Sequence, residues 1–225
     1  MESGIVGFIA ISVLLLSILW LIYKLGKGIL PILFGSKHHD HSADISRRSL
    51  DHLPAQFIVF DLETTGLNAE EDEVIEFGAI RVNRDAKHHE VFQTLVRPRK
   101  PIPTKITELT GITQSMAELE GKQLTDALQE FVAFIGDLPL VSFNAEFDMA
   151  FLNNAAKQHG MQINNPVSCA LIMARRAWPE RKSYRLADLA KDGNLSTKDS
   201  HRALGDCQRA LIVYTAAASL LGTTR

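Results

Sequence analysis

Asp61 and Glu63 stand two residues apart in FDLETTGL, directly after the apolar run QFIVF and directly before two threonines and a glycine. At i and i+2 on a strand, both carboxylates point to the same face. Two like charges held that close repel, and each raises the other's pKa unless something neutralises them. A divalent cation does so, and hard carboxylate oxygens suit Mg2+ or Mn2+. Taken alone, the pair also fits two exposed acids in a turn at a strand end.

Further acids favour the metal. FNAEFD places Asp148 in the first turns of a helix, and HRALGD places His201 and Asp206 five residues apart. Five helical positions rotate by about 500°, or roughly 140° net, so His201 and Asp206 do not share a helix face. They meet at one site only if the chain opens as a loop near His201, and NLSTKDS just before it is loop-like. Four carboxylates and a histidine, each beside an apolar segment, make a binuclear metal site with a base. Two ions about 3.5–4 Å apart clamp the attacking and leaving oxygens of a phosphoryl displacement. His201 has the pKa range to take a proton from the attacking water near neutral pH.

The elements that must position these groups follow from the apolar pattern. QFIVFD reads as a central strand, VIEFGAIRVN (74–83) as a second and HEVFQTLVRP (89–98) as a third, together a meander. ITELTGIT is a short helix and turn, and LTDALQEFVAFIG (124–136) a helix ending at a glycine. PLVSFN is a fourth strand; AEFDMAFLNNAAKQHG is a helix closed by Gly160, with Asn144 as its cap. PVSCALIMARRAW runs from a short strand into a helix, SYRLADLAKDG is another helix, and SHRALGDCQRALIVYTAAASLLG is a long final one. Three strands followed by alternating helices and strands imply an α/β mixed sheet with helices packed on it.

FDLETTGL, FNAEFDMAFL and HRALGDCQRA resemble, in this order, the three motifs of the DEDDh, or DnaQ-like, 3′–5′ exonuclease family, which includes the proofreading epsilon subunit of bacterial DNA polymerase III. The resemblance runs from Phe57 to about Ala218. It implies a ribonuclease H-like mixed five-stranded sheet flanked by helices. It also implies metal ligation by Asp61, Glu63, Asp148 and Asp206, with His201 as general base and two divalent cations, Mg2+ or Mn2+, as cofactors. Thr64, Thr65 and Gly66 would line the pocket for the 3′-terminal nucleotide, with Leu67 wedged against its base. Gly66 fits simple turn chemistry equally well. Phe147 stacks on a base or belongs to a helix core, and Asn144 is placed to touch substrate. One departure is visible: many members carry a histidine where this chain has Phe143.

A net charge of −2 excludes a generally basic nucleic-acid-coating protein. Basic residues cluster nonetheless in RPRK (97–100) and RRAWPERKSYR (175–185), either as a track for a nucleic-acid backbone or as solvated surface charge. Trp178, inside the second cluster, stacks or packs. Cys169 and Cys207 lie outside any CxxC pair, which argues against structural zinc and fits a reducing compartment, although a single disulfide between them is compatible with the sequence.

The N-terminus is different in kind. GIVGFIAISVLLLSILWLIY, Gly4 to Tyr23, is uncharged and long enough to cross a bilayer, with Trp20 and Tyr23 suited to the headgroup layer. A cleaved signal peptide fits less well, because no Lys or Arg precedes the run and no small-x-small site follows. Lys24, Lys27 and Lys37 place the following side in the cytoplasm. The expected organisation is one N-terminal transmembrane helix with an interfacial segment (1–35), a polar linker (36–53) and an exonuclease domain (54–225). His38, His39, Asp40 and His41 belong to the linker and lack a rigid frame for a metal.

The reading is a single-pass anchored 3′–5′ exonuclease at the cell inner membrane or another membrane, its catalytic domain cytoplasmic. Its partners are then the membrane and nucleic acid with a 3′ end, DNA or RNA, from which it releases nucleoside 5′-monophosphates. Two other readings stand beside it: a nuclease fold used only for nucleic-acid binding or assembly at the membrane, and a phosphodiesterase acting on short oligonucleotides or dinucleotides.

Overall fold

QFIVFDLET forms the central strand β1 (Gln56–Thr64) of a computed structural model that describes residues 53–86, 88–196 and 201–222. β1 is apolar on both faces because both are covered. It pairs antiparallel with β2 (Val74–Asn83), which pairs antiparallel with β3 (Glu90–Leu95). On its other edge β1 runs parallel to β4 (Leu140–Ser142), and β4 parallel to β5 (Val167–Cys169). The mixed five-stranded sheet has the order β3-β2-β1-β4-β5.

The helices are α1 (Thr104–Thr110), α2 (Gln114–Glu120), α3 (Leu124–Ile135), α4 (Ala145–Gln158), α5 (Ala170–Ala177), α6 (Leu186–Asp192) and α7 (Ala203–Gly222). α2 is the one element the periodicity did not predict. It is seven residues long and buries a single side chain, Ala117, so its apolar pattern is faint.

Strand alternation decides what faces what. Ile58, Phe60 and Leu62 of β1 pack in one core with Leu128, Phe131 and Ile135 of α3 and Phe151 and Leu152 of α4. Phe131 is its centre, with the rings of Phe60, Phe77 and Phe92 at 5.9, 5.0 and 5.9 Å. Phe57 and Val59 point the other way, into a core with Cys207, Ala210, Leu211 and Tyr214 of α7. Asp61 and Glu63 continue this odd-numbered series, so they emerge on the side where α7 lies.

β2 and the start of α7 approach unusually closely. A Cβ on Gly78 would stand 2.6 Å from the Ala203 carbonyl carbon, so only glycine permits the contact. The Cys207 thiol donates to the Gly78 carbonyl at 3.3 Å. Both cysteines are free thiols, so no disulfide joins them. Among the described residues no helix is long and apolar enough to cross a membrane. The expected span from Gly4 to Tyr23, the lysines after it and the histidine-rich linker lie outside the described residues.

Candidate active site

β1 and α7 bring three of the predicted acids to one point. Asp61, Glu63 and Asp206 each offer a carboxylate oxygen, and these atoms all lie within 4.8 Å of one another. Burial and the repulsion of neighbouring acids raise the pKa values of two of them, Asp61 and Glu63. Glu63 is pushed up from 4.5 to about 8, first by burial, then by Asp206, Glu76 and Asp148, with Arg202 opposing. Asp61 is raised well above its ordinary value, again by burial first and then by Asp148, Glu63 and Asp206. Clustered carboxylates that resist ionising alone are what a divalent cation stabilises, and the all-oxygen donor set fits such an ion.

Asp148 stands beside this cluster rather than in it. It is buried at the start of α4. The Leu62 amide donates to its Oδ1 at 3.2 Å, and the Ser142 hydroxyl donates to its Oδ2. Burial pushes its pKa up to about 7 despite these two donors.

His201 precedes α7 with φ 59°, a left-handed conformation that removes it from the helix. Its amide donates to Asp206 Oδ2 at 3.0 Å, and its side chain is exposed. The loop that the 140° rotation demanded is therefore present. The buried Arg209 grips the other oxygen of Asp206 at 2.8 Å and reaches the Ser196 carbonyl.

The TTGL segment is a structured turn. Thr64 Oγ1 donates to the Gly66 carbonyl at 2.6 Å, and Thr65 Oγ1 donates to Asp72 and accepts from the Glu73 amide. Asp72 covers Gly66 so closely that a Cβ there would meet its carboxylate at 2.3 Å. Leu67 is 87% exposed at the tip, an unusual placement for a leucine with no packing duty.

Asp61, Asp148 and Asp206 also border a cleft of about 550 Å3. Asn144 and Phe147 line it, whereas Glu63, the TTGL turn and His201 do not. Asn144 corrects an expectation: it holds the cap position of α4, but its side chain makes no capping hydrogen bond. Its backbone carbonyl accepts from the Phe147 amide instead, and the residue lines the cleft. Phe147 packs on Phe151 at 5.0 Å, as a helix-core residue would, and also lines the cleft. Trp178 is buried against α6 and α7, so it packs and does not stack on a ligand. Phe143 lies between two cores and lines the cleft.

Glu76 is the residue that sequence reasoning missed. It sits directly opposite Glu63 on β2 and is completely buried. Arg202 donates to it through Nη2 at 2.6 Å and Nε at 3.2 Å, the Ala203 amide at 2.9 Å and Gln93 at 2.9 Å. Glu76 thus ties β2 to the residue after His201 and to the first amide of α7. Its signal was legible: one acid inside the buried strand VIEFGAI must have a partner.

Sequence comparison agrees with this arrangement. The RNase_T exonuclease family matches residues 58–214. The DNA polymerase III epsilon subunit of Aquifex aeolicus is 40% identical over 156 residues, covering 68% of this chain and 76% of that protein. The chain belongs to the DnaQ-like exonuclease family. The PolC-type DNA polymerase III of Halalkalibacterium halodurans is 39% identical over 162 residues, or 70% of this chain. This family member spans only 11% of that polymerase. Exonuclease I of E. coli, solved with a dT13 oligonucleotide, shares the fold with a TM-score of 0.62 at 21% identity, covering 76% of this chain and 42% of that one.

Proposed function

We propose that the protein is a 3′–5′ exonuclease of the DEDDh type that hydrolyses the terminal phosphodiester of DNA or RNA and releases nucleoside 5′-monophosphates. The convergence of Asp61, Glu63 and Asp206 in a chain of this family carries the reading. Asp61, Glu63, Asp148 and Asp206 would hold two Mg2+ or Mn2+ ions, which would supply Lewis acidity and an activated water. Thr64, Thr65, Gly66 and Leu67 receive the terminal nucleotide together with Asn144 and Phe147. His201, exposed and fixed through its backbone to Asp206, takes the proton of the attacking water. The water oxygen joins phosphorus, and the bond to the 3′-oxygen of the preceding nucleotide breaks, that oxygen taking a proton from solvent to leave as a 3′-hydroxyl. A pure binding module has no use for acids whose pKa values burial and repulsion raise so far.

The domain is tethered by Gly4 to Tyr23 to the cell inner membrane or another membrane and faces the cytoplasm, as hydropathy and the following lysines support. The deciding experiment incubates the full-length protein with Mg2+ or Mn2+ and single-stranded DNA, RNA and dinucleotides labelled at either end. Loss of the 3′ label first, with release of 5′-mononucleotides, is expected. Hydrolysis of dinucleotides alone would replace this reading with the short-substrate one, and no metal-dependent hydrolysis would leave the binding module. For the anchor, carbonate washing of membranes is expected to retain the full chain and release a chain lacking residues 1–35; release of both would refute the tether.

A further inference from the structure

Two arginines line the cleft beside the acids. Arg175, on α5, and Arg185, at the entry to α6, both line it, and both are exposed. Neither has a carboxylate partner among the described residues. The two acids of α6 are engaged elsewhere: Asp192 with Arg181 at 2.6 Å and Asp188 with the Ser183 hydroxyl.

Between the two arginines lies Tyr184. Its hydroxyl donates to the Trp178 carbonyl, which fixes the ring, and the Arg175 guanidinium stands 5.9 Å from the ring centroid. Leu171 and Leu186 complete an apolar lining. The same cleft therefore offers a flat aromatic ring, an apolar surface and two planar cations, next to carboxylates that would repel any anion lacking them. Arginine forks match phosphate oxygens, and aromatic rings accept any unstacked base. The combination fits one nucleotide unit of a single strand.

We propose that Arg175, Tyr184 and Arg185 form a subsite for the nucleotide adjoining the one released, with the arginines on its backbone phosphate and Tyr184 against its base. This deepens the exonuclease reading and rests on it. It makes the preferred substrate a single strand of at least two nucleotides, and it assigns only two of the five basic residues between Arg175 and Arg185 to nucleic acid. Arg176, one residue away, is exposed and outside the cleft lining, which makes it the internal control.

The experiment compares Arg175→Ala, Arg185→Ala and Arg176→Ala in the full-length protein on two substrates. One is oligothymidylate; the other is the p-nitrophenyl ester of thymidine 5′-monophosphate, which has one phosphodiester and no second phosphate. The KM for oligothymidylate should rise about tenfold in each of the first two variants, and its salt dependence should become shallower by about 0.7 in log–log slope per arginine. On the ester the change should be at least several-fold smaller, and Arg176→Ala should match the wild type on both. Equal losses on both substrates, an equal effect of Arg176→Ala, or an unchanged oligothymidylate KM would each overturn the subsite. If the wild type hydrolyses neither substrate, the exonuclease reading fails. Fluorescence anisotropy of labelled oligothymidylate then decides the subsite, since the same two variants, and not Arg176→Ala, must lose affinity.

Discussion

Without metal, the folded protein should become less stable as pH rises from about 5 to about 8. Glu63 has its folded pKa raised from 4.5 to about 8, and Asp148 from 3.8 to about 7. Between the unfolded and folded values the native state holds more protons than the unfolded one. The slope of unfolding free energy with pH is then negative, so stability is fully present below about pH 4 and is lost as pH climbs through the folded values. One excess proton is worth about 1.4 kcal/mol per pH unit, so between pH 5.5 and 7.5 the loss is about 3 kcal/mol. The acids share their repulsion, so their contributions do not simply add. Urea unfolding of the full-length protein in chelator, followed through the fluorescence of the buried Trp178, measures this. Millimolar Mg2+ should abolish most of the decline, because the ion binds the ionised carboxylates of the native state alone. Glu63→Gln should flatten the chelator profile and raise the midpoint at pH 7.5. A chelator midpoint that stays level or rises between pH 5.5 and 7.5 would refute the burial of Glu63 and Asp148 beside other acids.

Three further outcomes follow from the same geometry. Asp61→Asn or Asp206→Asn should lower metal-dependent hydrolysis by at least about 10³-fold while leaving a folded protein, as circular dichroism would check; near-wild-type rates would sink the site. His201→Ala should cost about 10²–10⁴-fold in kcat with Mn2+ affinity by calorimetry nearly unchanged, and lost affinity would make the histidine a ligand instead of a base. Glu76→Ala should cost about 3–5 kcal/mol in urea unfolding, because Arg202 and the Ala203 amide lose their shared partner; Glu76→Gln should cost less, and equal midpoints for Glu76→Ala and wild type would show that the tie is not needed.

Much of this was readable in the sequence because the relevant periods are short. Alternation in QFIVFDLET placed Asp61 and Glu63 on one face, and the structure puts that face under α7. SHRALGDCQRA reads as helical from its first residue, with a loop near His201 as the condition for reaching Asp206; the helix in fact starts at Ala203, and His201 lies before it with a positive φ. What escaped depends on long-range contact. Asn144 sits where a capping side chain belongs, yet its side chain makes no capping bond and the residue lines the cleft. The basic run from Arg175 to Arg185 looks uniform, but Arg181 pairs with Asp192 while Arg175 and Arg185 face the cleft. Ser142 gave no signal, since a hydroxyl at the end of a three-residue strand acquires meaning only when Asp148 arrives from the next helix.

Glu63 and Glu76 show most directly how the fold divides labour between like residues. They are cross-strand neighbours on the same face, buried to 8% and 0% exposure. Two adjacent buried glutamates are untenable unless their charges are handled separately. Glu76 is handled by protein: an arginine, a helix-start amide and a glutamine fill its oxygens. Glu63 receives no such set. Burial first, and then the neighbouring acids, raise its pKa to about 8. The satisfied glutamate fixes the chain beside His201 and the start of α7, so Asp206 is delivered to the unsatisfied one. A substitution that frees Glu76 therefore acts at the site through the backbone. Its signature is a parallel loss of kcat and of urea midpoint in Glu76→Ala, both largely regained in Glu76→Gln. Loss of kcat with an unchanged midpoint would instead make Glu76 a direct participant in the chemistry.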